Sequence, residues 1–247
     1  MLSEKPWNRE VLLLLFAGLL VCWCGGLLLE ILLEQFLPLE EVAKKPFYHF
    51  LISTLSVHVA PLFLIHQFLK LNGTTWREFL GLTGSRLRQT ILFAILVAFL
   101  VLPVVWTLNE GSAWLLDFFG TKAVPQPSMK ALESAVNIGQ QICFGVAAIL
   151  LAPLAEEALF RGILYPFIKQ RGRPVLAVLG TSFVFGAFHS NLLTFLPLVF
   201  FAIVLIFVYE KTDKLLAPVL THAVFNAVNF LTFLFGSDVE RWLHRMK

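Results

Sequence analysis

The chain has 247 residues, of which 58% are hydrophobic and only 14% are charged, and its mean hydropathy is +0.80. Soluble domains average about 25% charged residues. This composition therefore excludes a water-soluble globular protein and indicates a chain that crosses a membrane several times. The formal net charge of +3 is small, and no run of basic residues predicts a nucleic-acid partner.

Seven apolar segments follow one another at the spacing expected of helices that span a bilayer. They cover Val11–Leu33, Pro46–Leu69, Thr90–Leu108, Ser134–Leu164, Val175–Phe188, Leu192–Tyr209 and Leu215–Phe235. We therefore predict an all-α, polytopic transmembrane bundle of seven or eight helices. The eighth helix would arise if the stretch from Trp114 to Phe119, or the long fourth segment, formed a separate helix.

The loops between these segments give a prediction of topology. Two of them, Thr75–Leu80 and Trp114–Phe119, mix aromatic and charged residues, a pattern typical of segments at the membrane interface. In a seven-helix arrangement, one side of the membrane carries more lysine and arginine, and the positive-inside rule then places the N-terminus in the cytoplasm. We expect a multi-pass protein of the plasma membrane, and one additional helix would reverse the orientation of the C-terminal half.

The fourth apolar segment ends in two adjacent carboxylates, Glu156 and Glu157, followed by Arg161. Ionisable groups at membrane depth cost about 2.5 kcal/mol or more each, so they are expected to have a use there. Residues four apart share a helix face, and Glu157 and Arg161 are therefore expected to form an ion pair. Glu156 is rotated by about 100° and would face another helix as a general base. The alternative is a helix that simply ends at the lipid headgroups.

Two later apolar segments carry histidines. His189 follows Phe185 by one helical turn, so Phe185 is expected to pack beside it and restrict its rotamers. His222 and Asn226 also share one face. This pair suits a metal ligand with a supporting amide, two donors that stabilise an oxyanion, or ordinary hydrogen bonds between helices.

No other catalytic motif competes with these residues. The sequence lacks His-Glu-x-x-His, Gly-x-Ser-x-Gly and a Walker loop. Isolated histidines on apolar helices are more often satisfied core residues than catalysts. We apply that interpretation to His58 and His66.

The three motifs together resemble those of the CPBP intramembrane proteases, a family that includes the type II CAAX prenyl endopeptidases and the bacteriocin-processing and abortive-infection proteins. They are Glu156-Glu157-x-x-x-Arg161, Phe185-x-x-x-His189 and His222-x-x-x-Asn226, in this order on three successive apolar regions. The resemblance covers about the last 100 residues. It predicts N-terminal transmembrane helices in residues 1–130 and a catalytic transmembrane core in residues 131–247, with the helices surrounding a central cavity.

The resemblance also implies roles for these residues. Glu156 and His189 would activate water, and His222 and Asn226 would bind the oxyanion. The remaining motif residues would support the site structurally; they are Glu157, Arg161 and Phe185. The implied reaction is hydrolysis of a peptide bond near the C-terminus of a protein or peptide substrate in the lipid membrane, and the need for a prenyl group stays open.

The resemblance leaves the role of metal open as well. No cofactor is expected, but zinc is an alternative, with Glu156, His189 and His222 as its three ligands. Two other functions also fit a membrane bundle with buried ionisable groups. One is a proton-coupled transporter, although the sequence shows none of the repeated halves that many transporters have. The other is a scaffold or immunity protein that has this fold without its chemistry.

Overall fold

A computed structural model describes residues 7–36, 45–83, 86–135 and 137–245, and these residues form helices joined by short loops, with no strand among them. Six of the helices are long and apolar enough to span a membrane, and a shorter apolar helix covers Pro174–Phe188. The predicted all-α polytopic bundle is therefore confirmed. The division into residues 1–130 and 131–247 stays a prediction.

Nine helices follow one another in the described residues. They are α1 (Arg9–Phe36), α2 (Pro46–Leu71), α3 (Trp76–Phe79), α4 (Leu87–Phe118), α5 (Pro127–Glu133), α6 (Ile138–Lys169), α7 (Pro174–Phe188), α8 (Leu192–Thr212) and α9 (Leu216–Arg245). The two stretches that were predicted as interfacial loops are largely helical. Most of the first is α3, where Thr75 and Glu78 form a capping box. The second continues α4 as far as Phe118.

Three π-helical turns interrupt the two helices α2 and α6. In a π-helix each backbone N–H bonds to the carbonyl five residues earlier, which makes the turn wider than in an α-helix. The turns cover Leu55–Val59, Ala147–Leu151 and Ala158–Leu164. Where each turn ends, the N–H bonds five residues back, as in the pairs Ala60–Leu55, Ala152–Ala147 and Tyr165–Phe160.

A proline stands directly after each of these three N–H groups. The prolines are Pro61, Pro153 and Pro166. Proline has no N–H, and its ring clashes with the carbonyl four residues earlier. The wider turn relieves that clash, so the prolines give a local reason for the π-helical geometry.

The core of the bundle lies around the middle of α6. All nine residues from Ala155 to Ile163 are buried, so this part of the helix is covered on every side. It packs in one apolar cluster with residues of α1, α2, α3, α7 and α8. Any polar group on this stretch therefore faces another helix.

The connection between α7 and α8 is only three residues long. Ser190 adopts a left-handed backbone conformation, with φ of 48°, and Asn191 caps α8 by accepting a hydrogen bond from the N–H of Thr194 at 3.0 Å. Close packing of the two helices depends on Gly186, because a Cβ at that position would lie 3.1 Å from the carbonyl oxygen of Phe195. This hairpin holds the C-terminal end of α7, where His189 lies, against the bundle.

Candidate active site

The two adjacent carboxylates of α6 lie in different surroundings. Glu157 is fully buried, and its Oε1 accepts hydrogen bonds from Nη1 of Arg161 and from Nδ1 of His222, both at 2.8 Å. The expected ion pair between Glu157 and Arg161 is thus present. We refer to Glu157, Arg161 and His222 as the Glu157 network.

Arg161 is fully buried as well, so its charge depends on partners inside the protein. Besides the Glu157 carboxylate, Nη2 donates to the backbone carbonyl of Ala202 at 3.2 Å. The guanidinium carbon lies 4.4 Å from the ring centroid of Phe185. The same Phe185 ring lies 5.0 Å from the His189 ring, so this phenylalanine contacts both the network and the histidine beside which we expected it to pack.

The Glu157 network determines the orientation of His222. A carboxylate paired with arginine can only accept hydrogen bonds, so Nδ1 of His222 carries the proton that is donated to Glu157. The imidazole ring is 4% exposed and packs edge-on against Phe185 and Phe201, with centroid distances of 6.0 Å and 5.3 Å. Nε2 is the ring nitrogen left for chemistry, and it can donate to an oxyanion only when the ring carries both protons.

Glu156 lies between two histidines from different helices. Its Oε1 is 3.6 Å from Nε2 of His58 in α2, and its Oε2 is 3.9 Å from Nε2 of His189 after α7. Both distances fall within ion-pair range but are too long for hydrogen bonds. We refer to Glu156, His58 and His189 as the Glu156 cluster. The side chains of the cluster are 10%, 17% and 21% exposed, respectively.

The expectation that His58 and His66 are satisfied core residues is wrong for both. His58 faces the carboxylate of Glu156, and its Nδ1 is buried without a hydrogen-bond partner among the described residues. His66 is exposed, and its Nδ1 accepts a hydrogen bond from Nε1 of Trp76 at 3.1 Å. Sequence reasoning missed His58 because it lies in the N-terminal half, outside the three motifs.

The hydrogen bond of His189 fixes its tautomer. Nδ1 lies 2.8 Å from the backbone carbonyl of Phe185, and because a carbonyl can only accept, Nδ1 carries the proton. In the neutral ring, Nε2 is therefore an acceptor. It faces Oε2 of Glu156, which is also an acceptor and has no hydrogen-bond partner among the described residues. Two acceptors that face each other in this way suit a shared donor between them.

Asn226 connects α9 to a π-helical turn of α6. Its Nδ2 donates to the backbone carbonyl of Ala148 at 2.8 Å. That carbonyl lacks its usual helical donor, because the N–H of Ala152 bonds to Ala147 and Pro153 has no N–H. Asn226 was predicted to share the oxyanion with His222; one of its two amide hydrogens holds α6 instead, and the other remains.

The residues considered for zinc do not form a three-ligand group. Among the described residues, no three His, Cys, Asp or Glu side chains are arranged to hold a metal ion. Glu156 and His189 face each other, and Nδ1 of His222 is bound to Glu157. The zinc alternative stays a prediction, and we derive no chemical step through a metal.

Comparison with known proteins agrees with the motif analysis. Residues 138–228 match the family described as type II CAAX prenyl endopeptidase Rce1-like. An uncharacterized 24.3 kDa protein of Escherichia coli is 34% identical over 158 residues, which cover 54% of this chain and 73% of that protein. The UPF0177 protein YaiF of Lactococcus lactis is 34% identical over 87 residues, or 35% of this chain and 38% of that protein. No solved structure matches at a significant level.

Proposed function

We propose that this chain, which belongs to the Rce1-like family of type II CAAX prenyl endopeptidases, hydrolyses a peptide bond near the C-terminus of a membrane-associated protein. One observation carries the proposal. Oε2 of Glu156 and Nε2 of His189 are two acceptor atoms 3.9 Å apart, inside a bundle of membrane-spanning helices. A water molecule that donates one hydrogen to each of them would have its oxygen directed away from both, free to attack a carbonyl carbon.

The proposed reaction begins with attack by this water. The water oxygen forms a bond to the carbonyl carbon of the substrate, and Glu156 takes the proton that the water loses. The carbonyl oxygen becomes an oxyanion in a tetrahedral intermediate. When the carbon–nitrogen bond breaks, Glu156 returns the proton to the leaving amine. The products are a new C-terminal carboxyl group and a released peptide with a free amino group, so atoms and charges balance.

The developing oxyanion needs donors, and His222 and Asn226 are the proposed ones. His222 is held at Nδ1 by Glu157, which leaves Nε2 as its donor when the ring is doubly protonated. Asn226 has one amide hydrogen beyond the one bound to Ala148. Fixed donors at an oxyanion are worth about 10²–10³-fold in rate each. Glu157, Arg161 and Phe185 then act as support for the donors.

The substrate class is tested by an assay of the purified protein on matched peptides. The panel contains C-terminal CAAX-type peptides with and without a prenyl group on the cysteine, together with peptides that lack the cysteine. Cleavage of any of them that Glu156→Gln abolishes would support the proposal, and the prenylated and unmodified pairs would decide whether the lipid is required. A protein that binds these peptides without cleaving them would favour the scaffold, and one that moves protons would favour the transporter.

A metal-free mechanism is the second part of the proposal, because Glu156 is the one carboxylate of the pair without an arginine partner. If Glu156 bound zinc, it could not also act as the general base, and no other unpaired carboxylate would remain beside it. We expect a strong chelator to leave hydrolysis unchanged. Loss of activity on chelation, its return with added zinc and roughly one metal per protein by elemental analysis would overturn this part.

The protein spans the membrane several times, and we propose the plasma membrane with a cytoplasmic N-terminus, supported by the distribution of lysine and arginine in the loops. Single cysteines at Arg77 and Lys122, in loops assigned to opposite sides, would test the orientation. The natural cysteines would first be replaced by serine. An impermeant thiol reagent applied to intact cells should label position 122 and leave position 77 unlabelled.

A further inference from the structure

We propose that His58 is a positioning residue for the general base, and that it holds the Glu156 carboxylate in the orientation from which Oε2 reaches the attacking water. The inference rests on the proposed function, because it assigns His58 a part in the same hydrolysis. His58 lies outside the residues that match the Rce1-like family, which begin at residue 138. It therefore adds the N-terminal half of the chain to the catalytic machinery.

The π-helical turn of α2 presents His58 to α6. The turn covers Leu55–Val59, and the N–H of Ala60 closes it on the carbonyl of Leu55. Within the turn, Ser56 Oγ donates to the carbonyl of Ile52, one turn earlier, at 2.9 Å. π-Helical turns occur frequently at functional sites. In this chain, each of the three turns contains a residue that contacts the site residues: His58, Ala148 and Arg161.

Helix α1 fixes this turn from the opposite side. Gly26 of α1 lies so close to Ser56 that a Cβ on the glycine would be 2.4 Å from the serine Oγ. Such a contact is possible only for a residue without a side chain. The backbone around His58 is thus packed between α1 and the catalytic helix α6, which limits how far the imidazole can move from Glu156.

The two histidines lie at similar distances from the Glu156 carboxylate. Nε2 of His58 lies 3.6 Å from one carboxylate oxygen, and Nε2 of His189 lies 3.9 Å from the other. A neutral His58 that carries its proton on Nε2 can donate to Oε1, whereas His189 has its proton on Nδ1 and can only accept at Nε2. The two rings therefore do different things: His58 can hold the carboxylate, and His189 can share the water.

A ring nitrogen with a purely structural role would be expected to pair at hydrogen-bond distance, as Nδ1 of His222 does with Glu157 at 2.8 Å. His58 does not, and its Nδ1 has no partner among the described residues. The side chain of its neighbour Glu156 is 10% exposed, and Oε2 of that side chain has no hydrogen-bond partner among the described residues. Catalytic contacts are often long in a protein without substrate and shorten when the substrate is bound. The contact of 3.6 Å between His58 and Glu156 is long in the same way.

The test uses the purified full-length protein and a peptide that the wild type cleaves. His58→Leu removes the donor, His58→Gln keeps an amide donor on a side chain of similar reach, and His58→Asn keeps the same amide on a shorter side chain. His66→Leu is the matched control, because His66 lies on the same helix and contacts Trp76 instead of the site. We measure kcat, KM and the thermal midpoint in detergent for each.

We expect His58→Leu and His58→Asn to lower kcat by about 10²-fold with KM unchanged, which is the loss that a displacement of about 1 Å in a catalytic group can cause. His58→Gln should lose no more than about tenfold, and His66→Leu should match the wild type. The comparison of Gln with Asn remains informative even if the leucine variant is unstable, because both carry the same polar group.

Two results would overturn the inference alone while peptide cleavage by the wild type persists. One is equal kcat in the Gln and Asn variants, and the other is a loss confined to KM or to the thermal midpoint. If the wild type cleaves none of the peptides in the panel, the proposed function fails, and the role of His58 fails with it. The two failures are therefore distinguishable in one set of measurements.

Discussion

The Glu157 network and the Glu156 cluster are each built around one of two adjacent glutamates of the same helix. They differ in the partners of the glutamate, which are Arg161 and His222 in the network and two histidines in the cluster, and in the length of the contacts. In the network, one carboxylate oxygen accepts two hydrogen bonds of 2.8 Å, and all members are nearly or fully buried. In the cluster, the histidines lie 3.6 Å and 3.9 Å from the carboxylate. Short contacts hold a structure rigid, whereas longer ones leave room for a reactant.

This difference suggests a division of labour. Oε1 of Glu157 accepts from both Arg161 and His222, while Oε2 has no hydrogen-bond partner among the described residues. Protonation of this carboxylate would weaken its ion pair with Arg161, so Glu157 suits support. Glu156 has no such bond to break. The variants below test this division in order of decreasing expected effect.

The largest effect is expected for Glu156→Gln. The amide has nearly the same shape as the carboxylate but cannot accept a proton, so kcat should fall by about 10²–10⁴-fold. The thermal midpoint should stay close to that of the wild type, because no short hydrogen bond is lost. Turnover near the wild-type rate would show that Glu156 is not the general base. The proposed functional difference between the Glu156 cluster and the Glu157 network would then be wrong.

Glu157→Ala should act on stability first. It leaves the buried Arg161 without its carboxylate, and breaking a buried pair costs about 3–5 kcal/mol. Activity should fall too, because His222 loses the acceptor at Nδ1. A detergent melt that matches the wild type would show that the network is not structural.

A double-mutant cycle adds a sharper test of the same pair. Arg161→Ala together with Glu157→Ala removes both charges, so the double variant should be less destabilised than the sum of the single variants. Strict additivity would contradict the pairing as the source of the stability loss. Activity should stay low in the double variant, since His222 remains without its partner.

Asn226→Ala tests a residue of α9 that has two proposed roles, as an oxyanion donor and as the partner of the Ala148 carbonyl in α6. As an oxyanion donor, Asn226 should account for about 10²–10³-fold in kcat. Its bond to Ala148 predicts a loss of stability as well, of about 1 kcal/mol for the unsatisfied, partly buried carbonyl. Kinetics normalised to folded protein separate the two effects, and a lower midpoint with unchanged kcat would leave Asn226 with the helix-holding role alone.

The smallest effect is expected at Asn229, which belongs to neither region. Its Oδ1 accepts from Nε1 of Trp106 at 2.9 Å, an ordinary hydrogen bond between α9 and α4. Asn229→Ala should lower the free energy of unfolding by about 0.6 kcal/mol, the average for such bonds in membranes, with kcat unchanged. A loss of kcat in Asn229→Ala would show that any polar change in α9 disturbs the site. The loss of kcat expected for Asn226→Ala would then not identify an oxyanion donor.

The sequence was sufficient for those features that depend on local periodicity. Apolar runs located the spanning helices, and the spacing of four residues predicted the Glu157–Arg161 pair, because both partners lie on one helix. The separation of Glu156 from Glu157 followed from helical geometry in the same way. Contacts between helices could not be predicted in this way, because the rotation of each helix relative to its neighbours depends on the packing of the whole bundle.

His58 and the π-helical turns illustrate that limit. The prolines at 61, 153 and 166 were visible in the sequence, but Pro103 and Pro197 also lie inside helices, and the structure assigns no π-helical turn there. A proline therefore favours such a turn without dictating it. The bond from Asn226 to Ala148 depends on one of these turns, which is why the motif spacing alone suggested a shared oxyanion role and missed the helix contact.

The spacing of Glu157 and Arg161 also bears on how the protein is made. Helix α6 is synthesised before α8 and α9, which later supply the carbonyl of Ala202 and the imidazole of His222. A charged side chain at the centre of an inserting helix costs about 2.5–3.5 kcal/mol on the insertion scale. Because the two residues are four apart, they can neutralise each other as soon as the helix forms. The ion pair that orients His222 in the finished bundle thus also allows α6 to enter the bilayer before His222 has been translated.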